Sequence, residues 1–154
     1  MPVRAEHVAK AAIDYTQLRG NTIQIAIPIH LLAKTTTITI DSTGVKEACG
    51  HFTLTSEMVR HLKEAYLEAS ADAPSATDAV VAVELYNDTD ASVVASISFS
   101  GEGGTKTSSD IADTLKALAG KVLSGRINVT TASATAGATQ NFKSIVLRLV
   151  LGIS

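Results

Sequence analysis

The sequence predicts a mainly β protein: an antiparallel β-sandwich, jelly-roll-like, of about seven strands, with an N-terminal helix and one or two inserted helices. Three observations predict it. Ile23, Ile25, Ile27 and Ile29 repeat at a strict period of two, the spacing of one face of a strand. Asn87-Asp88-Thr89-Asp90-Ala91 is turn chemistry set between two runs rich in β-branched residues, which together read as a hairpin. The chain closes on a second alternating run, with Ile145, Leu147, Leu149 and Leu151 on one side. Several successive strands are too close for a crossover helix, which disfavours a doubly wound parallel sheet. An α+β domain built on one curved sheet is the main alternative.

Taken in order, residues 2–19 read as a helix, with Val8, Ala11, Ala12, Tyr15 and Leu18 forming a narrow apolar stripe and Gly20 stopping it. This divides the chain into an N-terminal helix, residues 1–20, and a sandwich domain, residues 21–154. The isoleucine strand follows, and Pro28, which has no N–H to donate, puts it at a sheet edge or at a bulge. Residues 36–41 form a strand carrying Ile38 and Ile40, Ser42-Thr43-Gly44 a turn, and residues 51–54 a short strand. Ser56 is read as the N-cap of a helix to about residue 70, because Met58, Val59, Leu62, Ala65, Tyr66 and Ala69 recur at helical spacing. Residues 71–78, with Pro74, are a loop. Residues 79–86 and 92–99 form the hairpin, residues 101–104 a flexible glycine-rich loop, and residues 109–119 a short helix ending at Gly120. Residues 122–130 and 141–151 are the last strands, joined by a Thr/Ala/Ser/Gly loop at 131–139. In the final strand Val146 and Val150 make the second face largely apolar too. Such a strand is central and covered on both sides, or else pairs with a neighbouring molecule.

Composition bounds the function. The 154 residues suffice for one domain with its own core. Charged residues make up 18% of the chain, below the roughly 25% of an average domain, and Thr, Ser and Ala fill the difference. A net charge of -2 without a Lys/Arg cluster offers a phosphate backbone nothing to bind, so no nucleic-acid partner is expected. Cys49 is the single cysteine, so no intrachain disulfide can form. Charges in residues 1–7 stand where a signal peptide needs an apolar core, and no run is long enough to span a membrane. The expected location is therefore the cytoplasm, without a membrane partner.

Each chemical candidate competes with a plainer structural reading. Ser100-Gly101-Glu102-Gly103-Gly104-Thr105-Lys106-Thr107 sits between strand and helix like a phosphate loop, but Thr105 separates Gly104 from Lys106 and the first glycine stands too close. Cys49, His51 and His61, with Asp41, could contribute to a metal site, and Cys49-x-His51 on a regular strand would share a face. No second ligand pair accompanies them, and a buried cysteine beside a surface histidine is the plainer reading. Neither His30 nor His7 has a sequence partner. Asp88 and Asp90 with Asn87 could ligate calcium, and Glu84 could pair with Asp88, although adjacent oxygens in a turn are usually turn formers. Asn87-Asp88-Thr89 and Asn128-Val129-Thr130 match the glycosylation pattern. Tyr15, Tyr66 and Tyr86 make no evident stacking platform. No catalytic, cofactor or metal residue is assigned, and no cofactor is expected.

Residues 83–101, Val83-Glu84-Leu85-Tyr86-Asn87-Asp88-Thr89-Asp90 through Ile97-Ser98-Phe99-Ser100-Gly101, resemble a hairpin of small β-sandwich or jelly-roll virion proteins of thermophile (archaeal) viruses. Residues 126–151, opening Arg126-Ile127-Asn128-Val129-Thr130, add to the resemblance. It implies a structural role as a minor capsid, turret or surface component, and with it a virion as the alternative location to the cytoplasm. Three function classes follow. The first is a non-enzymatic assembly protein, a homo-oligomer or a partner of other structural proteins. The second is a ligand- or carbohydrate-binding module whose loops 87–91, 101–107 and 131–139 form one rim. The third is an enzyme, which would need Cys49, His51 and His61, or distant acids, to converge in a pocket.

Overall fold

The computed structural model of the protein describes residues 23–152. The predicted helix at 2–19 lies outside the described residues. Two antiparallel sheets face each other, as the sequence predicts. Nine strands make them among the described residues: β1 (Gln24–Leu32), β2 (Thr36–Thr39), β3 (Gly44–Thr53), β4 (Leu62–Ala71), β5 (Val80–Asn87), β6 (Ser92–Ser100), β7 (Gly104–Thr107), β8 (Val122–Thr131) and β9 (Thr139–Gly152). Two five-residue helices interrupt them, α1 (Ser56–Arg60) and α2 (Ala112–Lys116).

Sheet A runs β1-β9-β4-β7, with β2 end to end with β1 along β9, and sheet B runs β3-β8-β5-β6. The pairings β1–β9, β3–β8, β4–β7 and β5–β6 are nested, outermost strands first. An antiparallel ribbon with that nesting, rolled so that β4 meets β9 and β5 meets β8, is a jelly roll.

Alternation builds the core. From sheet A come Ala65, Leu67, Ala69, Ile145, Leu147 and Leu149, and from sheet B Val81, Val83, Leu85, Leu123, Ile127 and Val129, all essentially sealed from solvent. Phe99 of β6 meets Phe142 of β9 edge to face across the layers, ring centroids 5.5 Å apart.

Each open side is closed by its own device. At the β1/β3 side a bulge between His30 and Leu32 turns both Leu31 and Leu32 inward. Leu31 fits a notch at Gly50 and Gly125; a Cβ on Gly125 would sit 2.9 Å from the Leu31 Cβ, and one on Gly50 would strike the Leu31 backbone. At the β6/β7 side Lys106 reaches across, donating from Nζ to the Ser98 carbonyl at 2.8 Å and lying 5.0 Å from the Phe99 ring centroid.

Several expectations need correction. The helix predicted to residue 70 ends at Arg60, and Leu62–Ala71 is a strand. Its N-cap is Thr55, whose hydroxyl accepts from the Met58 N–H at 3.2 Å, rather than Ser56. Ala65, Leu67, Ala69 and Ala71 also fit a period of two, and pairing with β9 overrides the helix propensity of Ala, Leu, Glu and Lys. The helix expected at 109–119 contracts to Ala112–Lys116. The glycine-rich loop is packed: a Cβ on Gly101 would strike the Thr77 carbonyl, and Gly104–Thr107 pairs with β4.

Two expectations about strand position hold. β1, with Pro28, is an edge strand, and β9 is central.

Candidate functional site

The outer face of sheet B holds the most developed polar arrangement. Cross-strand register sets Glu84 of β5 opposite Arg126 of β8, and Ala82 opposite Asn128. Glu84 Oε2 accepts from Arg126 Nε at 3.1 Å and Nη2 at 2.6 Å, while Oε1 accepts from Asn128 Nδ2 at 3.2 Å. The Arg126 guanidinium stacks on Tyr86, 3.7 Å from the ring centroid. Among the described residues no third layer covers this face, yet the two side chains are only 8% and 18% exposed. The tyrosine, the asparagine and the guanidinium itself seal the carboxylate. Around them lie Ala48 of β3 and Ser96 and Ser98 of β6, with Val45 and Val93 each about half exposed toward the two edges.

A parallel arrangement stands on the outer face of sheet A. Arg148 Nε donates to Glu68 Oε1 at 3.0 Å and its guanidinium lies 4.7 Å from the Tyr66 ring centroid. This pair is 35% and 29% exposed. Loss of solvation, then the nearby Glu64 and Asp110 carboxylates, raise the Tyr66 phenol above its ordinary value, with Arg148 pulling the other way.

The residues nominated from sequence do not converge. Cys49 packs against the core and its thiol donates weakly to the Gly125 carbonyl at 3.7 Å. Burial first, then Glu47, push that thiol up, away from thiolate chemistry. His51 does not share its face, because the Gly50 bulge (φ 68°) breaks the period of two between them. It is exposed and lies 3.7 Å from Asp88 Oδ1. His61 caps the end of α1 and is exposed, and Asp41 Oδ2 accepts from the Gly137 N–H at 2.7 Å. His30 is exposed on β1, and His7 lies outside the described residues. Among the described residues no three His, Cys, Asp or Glu side chains gather as a metal set.

The calcium candidate is a closed turn. Asn87 Oδ1 accepts from the N–H groups of Thr89 and Asp90, both at 3.1 Å, and Asn87 Nδ2 donates to Asp90 Oδ2 at 2.9 Å. Lys121 Nζ, 3.1 Å from Asp90 Oδ1, supplies the positive charge, and it and Asn87 hold that carboxyl below its ordinary value. Glu84 turns to Arg126 rather than Asp88. Asn87 is buried and Asn128 is bound to Glu84, so neither stands out as a glycan acceptor. In the glycine-rich segment Lys106 is engaged by Glu102 and Ser98, not free to meet a phosphate. Tyr66 and Tyr86 lie on opposite outer faces; Tyr15 is outside the described residues.

The three loops expected to form one rim are split. Loops 101–107 and 131–139 meet loop 72–79 at one end: Gln140 Nε2 donates to the carbonyls of Asp72 and Glu102, both at 3.0 Å, and Asp78 accepts from Ser133 Oγ at 2.6 Å and Ala134 N at 2.8 Å. Loop 87–91 lies at the other end, beside Lys121 and Val122.

Sequence reasoning missed the two Arg–Glu–Tyr groups. Their signal was partial: Glu84 and Arg126 are the lone charges of β5 and β8, whereas Glu68 and Arg148 share β4 and β9 with Lys63, Glu64 and Lys143. Also unforeseen, among the described residues, are two buried atoms without a partner, Ser124 Oγ and Asp88 Oδ2.

No protein-family model matches the chain. No curated protein matches it in sequence. Among solved structures, one similar chain comes from the structure of infectious bursal disease virus, Gx strain: 10% identical over 83% of this chain, TM-score 0.39. The chain spans 32% of that neighbour's length. The likeness is to a viral protein and concerns fold alone; it does not extend to thermophile viruses, and at that score it carries no argument about function. No helix among the described residues is long and apolar enough to cross a membrane.

Proposed function

We propose that the chain is a non-enzymatic structural protomer that packs through the outer face of sheet B, in a homo-oligomer or as a virion component such as a minor capsid, turret or surface protein. The observation that carries this reading is the sealed Glu84–Arg126 pair on a face over which the described residues set no third layer. Burying a charge against a partner ordinarily requires stripping its water, at a cost of several kcal/mol per ion. Here that desolvation has already been met by folding. A partner therefore encounters small and β-branched side chains, with exposed Val45 and Val93 toward the edges, over a centre whose charge is neutralised.

Light scattering on the purified full-length chain, over a range of concentrations, tests this reading. A defined oligomer is expected for the native chain. Val93→Arg, at a position already 48% exposed, should fold normally and shift the mass to the monomer. A native chain that stays monomeric at every concentration, or a Val93→Arg oligomer of unchanged mass, speaks against self-assembly through this face.

A further inference from the structure

The edges of the two sheets are unequally defended. An edge strand leaves a row of backbone N–H and C=O groups open to another chain unless charge, proline, bulges or brevity blunts it. β1 carries Pro28, β2 and β7 are each four residues long, and β3 carries Lys46 and Glu47 together with two breaks in its register. β6, Ser92-Val93-Val94-Ala95-Ser96-Ile97-Ser98-Phe99-Ser100, has nine residues with neither charge nor proline. It pairs with β5 on one side, and among the described residues no strand pairs with the other. The phase of its backbone follows from two contacts. The Ser100 N–H turns away from β5 to donate to Glu102 Oε1 at 3.1 Å, and the Ser98 carbonyl accepts from Lys106 Nζ at 2.8 Å. Register with β5 is unbroken from Ala95 to Ser100, and backbone groups alternate sides along an antiparallel strand, so Ser96 faces outward with Ser98 and Ser100. Glu102 and Lys106 guard the end of this edge. Ser96 is exposed, and no hydrogen bond among the described residues claims its outward N–H or C=O.

We propose that β6 is a self-pairing edge: two copies of the chain join antiparallel through it, about a two-fold axis at Ile97, and their four-stranded sheets B become one of eight. Charge favours a second copy as the occupant. A two-fold axis sets β6 against itself, so any charge near the axis would meet its like, and a strand free of charge is what self-pairing tolerates. Backbone phase agrees. With the axis at Ile97, Ser96 of one copy lies opposite Ser98 of the other, and the outward N–H of each donates to the outward carbonyl of the other. The Ser98 carbonyl has a second lone pair for this beside the one that Lys106 holds. Side chains agree too. Ser96 and Ser98 bring hydroxyl opposite hydroxyl on the outer face, a favourable cross-strand pair, and Ile97 meets its own copy on the core side. The ladder is bounded by the Glu102–Lys106 guard at one end and by the register shift opposite Leu85/Tyr86 at the other. So short a ladder is a small interface, and the pairing is weak and reversible.

Amide exchange of the full chain, resolved by residue with nuclear magnetic resonance, tests the proposal alongside light scattering, both from about 50 μM to about 1 mM. The Ser96 and Ser98 amides, which face away from β5, should exchange about fivefold more slowly at the top of that range than at the bottom. The Ala95 and Ile97 amides, which face β5, should not change. Ser96→Pro removes one outward N–H without touching the ladder to β5, and should abolish the concentration dependence at Ser98. Ser96 and Ser98 amides that exchange alike at every concentration overturn the proposal. A native oligomer whose mass and Ser98 protection a folded Ser96→Pro chain retains also overturns it, and that result leaves packing through the outer face of sheet B standing. If Ser96→Pro fails to fold, the concentration dependence of the native amides decides alone.

Discussion

Each outer face of the sandwich carries an arginine, a glutamate and a tyrosine in cross-strand register, but the two groups sit at different depths. On sheet B, Glu84 takes three hydrogen bonds from two residues and both charges are nearly sealed. On sheet A, Glu68 is served by Arg148 alone, the guanidinium stands farther from its tyrosine, and both side chains keep about a third of their exposure. The residue types are the same, so depth comes from the neighbours. Asn128 and the closer stacking of Tyr86 complete one enclosure, and nothing equivalent completes the other. The stability each pair contributes should therefore differ by far more than its composition implies.

The largest expected effect lies beneath both faces. Leu147 is fully buried on β9, paired on either side with Ile29 and Leu67, and Leu147→Asp should abolish folding, because an unpaired buried charge costs several kcal/mol against a domain's total of about 5–15. A folded Leu147→Asp chain, by circular dichroism, would mean that β9 is not the central strand. Next comes the sealed pair. Arg126→Met leaves the Glu84 carboxyl buried and served by Asn128 alone, and should cost roughly 3–5 kcal/mol in urea unfolding. Replacing both, Glu84→Leu with Arg126→Met, should return stability to within about 1 kcal/mol of the native chain. A single variant as stable as the native chain would show that water reaches the carboxylate.

The elements of this comparison were unequally legible in the sequence. Pro28 identified an edge strand and the doubly apolar run at 145–151 a central one, because edge and centre make local chemical demands. β4 was misread because Leu62, Ala65, Tyr66 and Ala69 satisfy a helical period while Ala65, Leu67, Ala69 and Ala71 satisfy a strand period; only β9 decides between them. Glu84 and Arg126 stand out as the lone charges of β5 and β8, whereas Glu68 and Arg148 share β4 and β9 with Lys63, Glu64 and Lys143. Which glutamate meets which arginine depends on a register between residues 42 positions apart on one sheet and 80 on the other, and no local rule sets it. Cys49 and His51 failed as a pair for a related reason: a single left-handed glycine between them removed the alternation on which the expectation stood.

A moderate effect separates backbone anchoring from the charge pairs. Asp110 Oδ1 accepts from the N–H of Ala65 on β4 at 3.0 Å and of Ala112 in α2 at 2.9 Å. Asp110→Ala should cost about 1–2 kcal/mol, as the loss of a helix cap does. Those two N–H groups hold the carboxyl below its ordinary value, and Asp72, Asp78, Asp90 and Glu102 are lowered likewise by Lys143, Ser133, Lys121 and Lys106 respectively. A carboxyl whose folded value is depressed contributes its stability above the unfolded value and loses it as the pH falls through the folded one. The unfolding midpoint should therefore hold at neutral pH and drop as the pH falls below about 4. Asp110→Asn should flatten part of that drop. An unchanged acid limb would mean that Asp110 is not held in its charged form by those amides.

The smallest effect completes the comparison. Arg148→Met keeps most of the side-chain length that packs beside Tyr66 and removes the charge together with its hydrogen bond to Glu68. Because Glu68 retains about 29% exposure, water can take over the lost hydrogen bond, so the cost should be about 0–1 kcal/mol. Salt should discriminate as well: the difference between the native chain and Arg148→Met should shrink as ionic strength rises, whereas that for Arg126→Met should barely move, since a sealed pair is screened little. Urea unfolding of the two variants at low and high salt measures both quantities together. Equal costs with equal salt dependence would place the two pairs in the same environment, and the sealed centre of the sheet B face would then no longer support the proposal that a partner packs there.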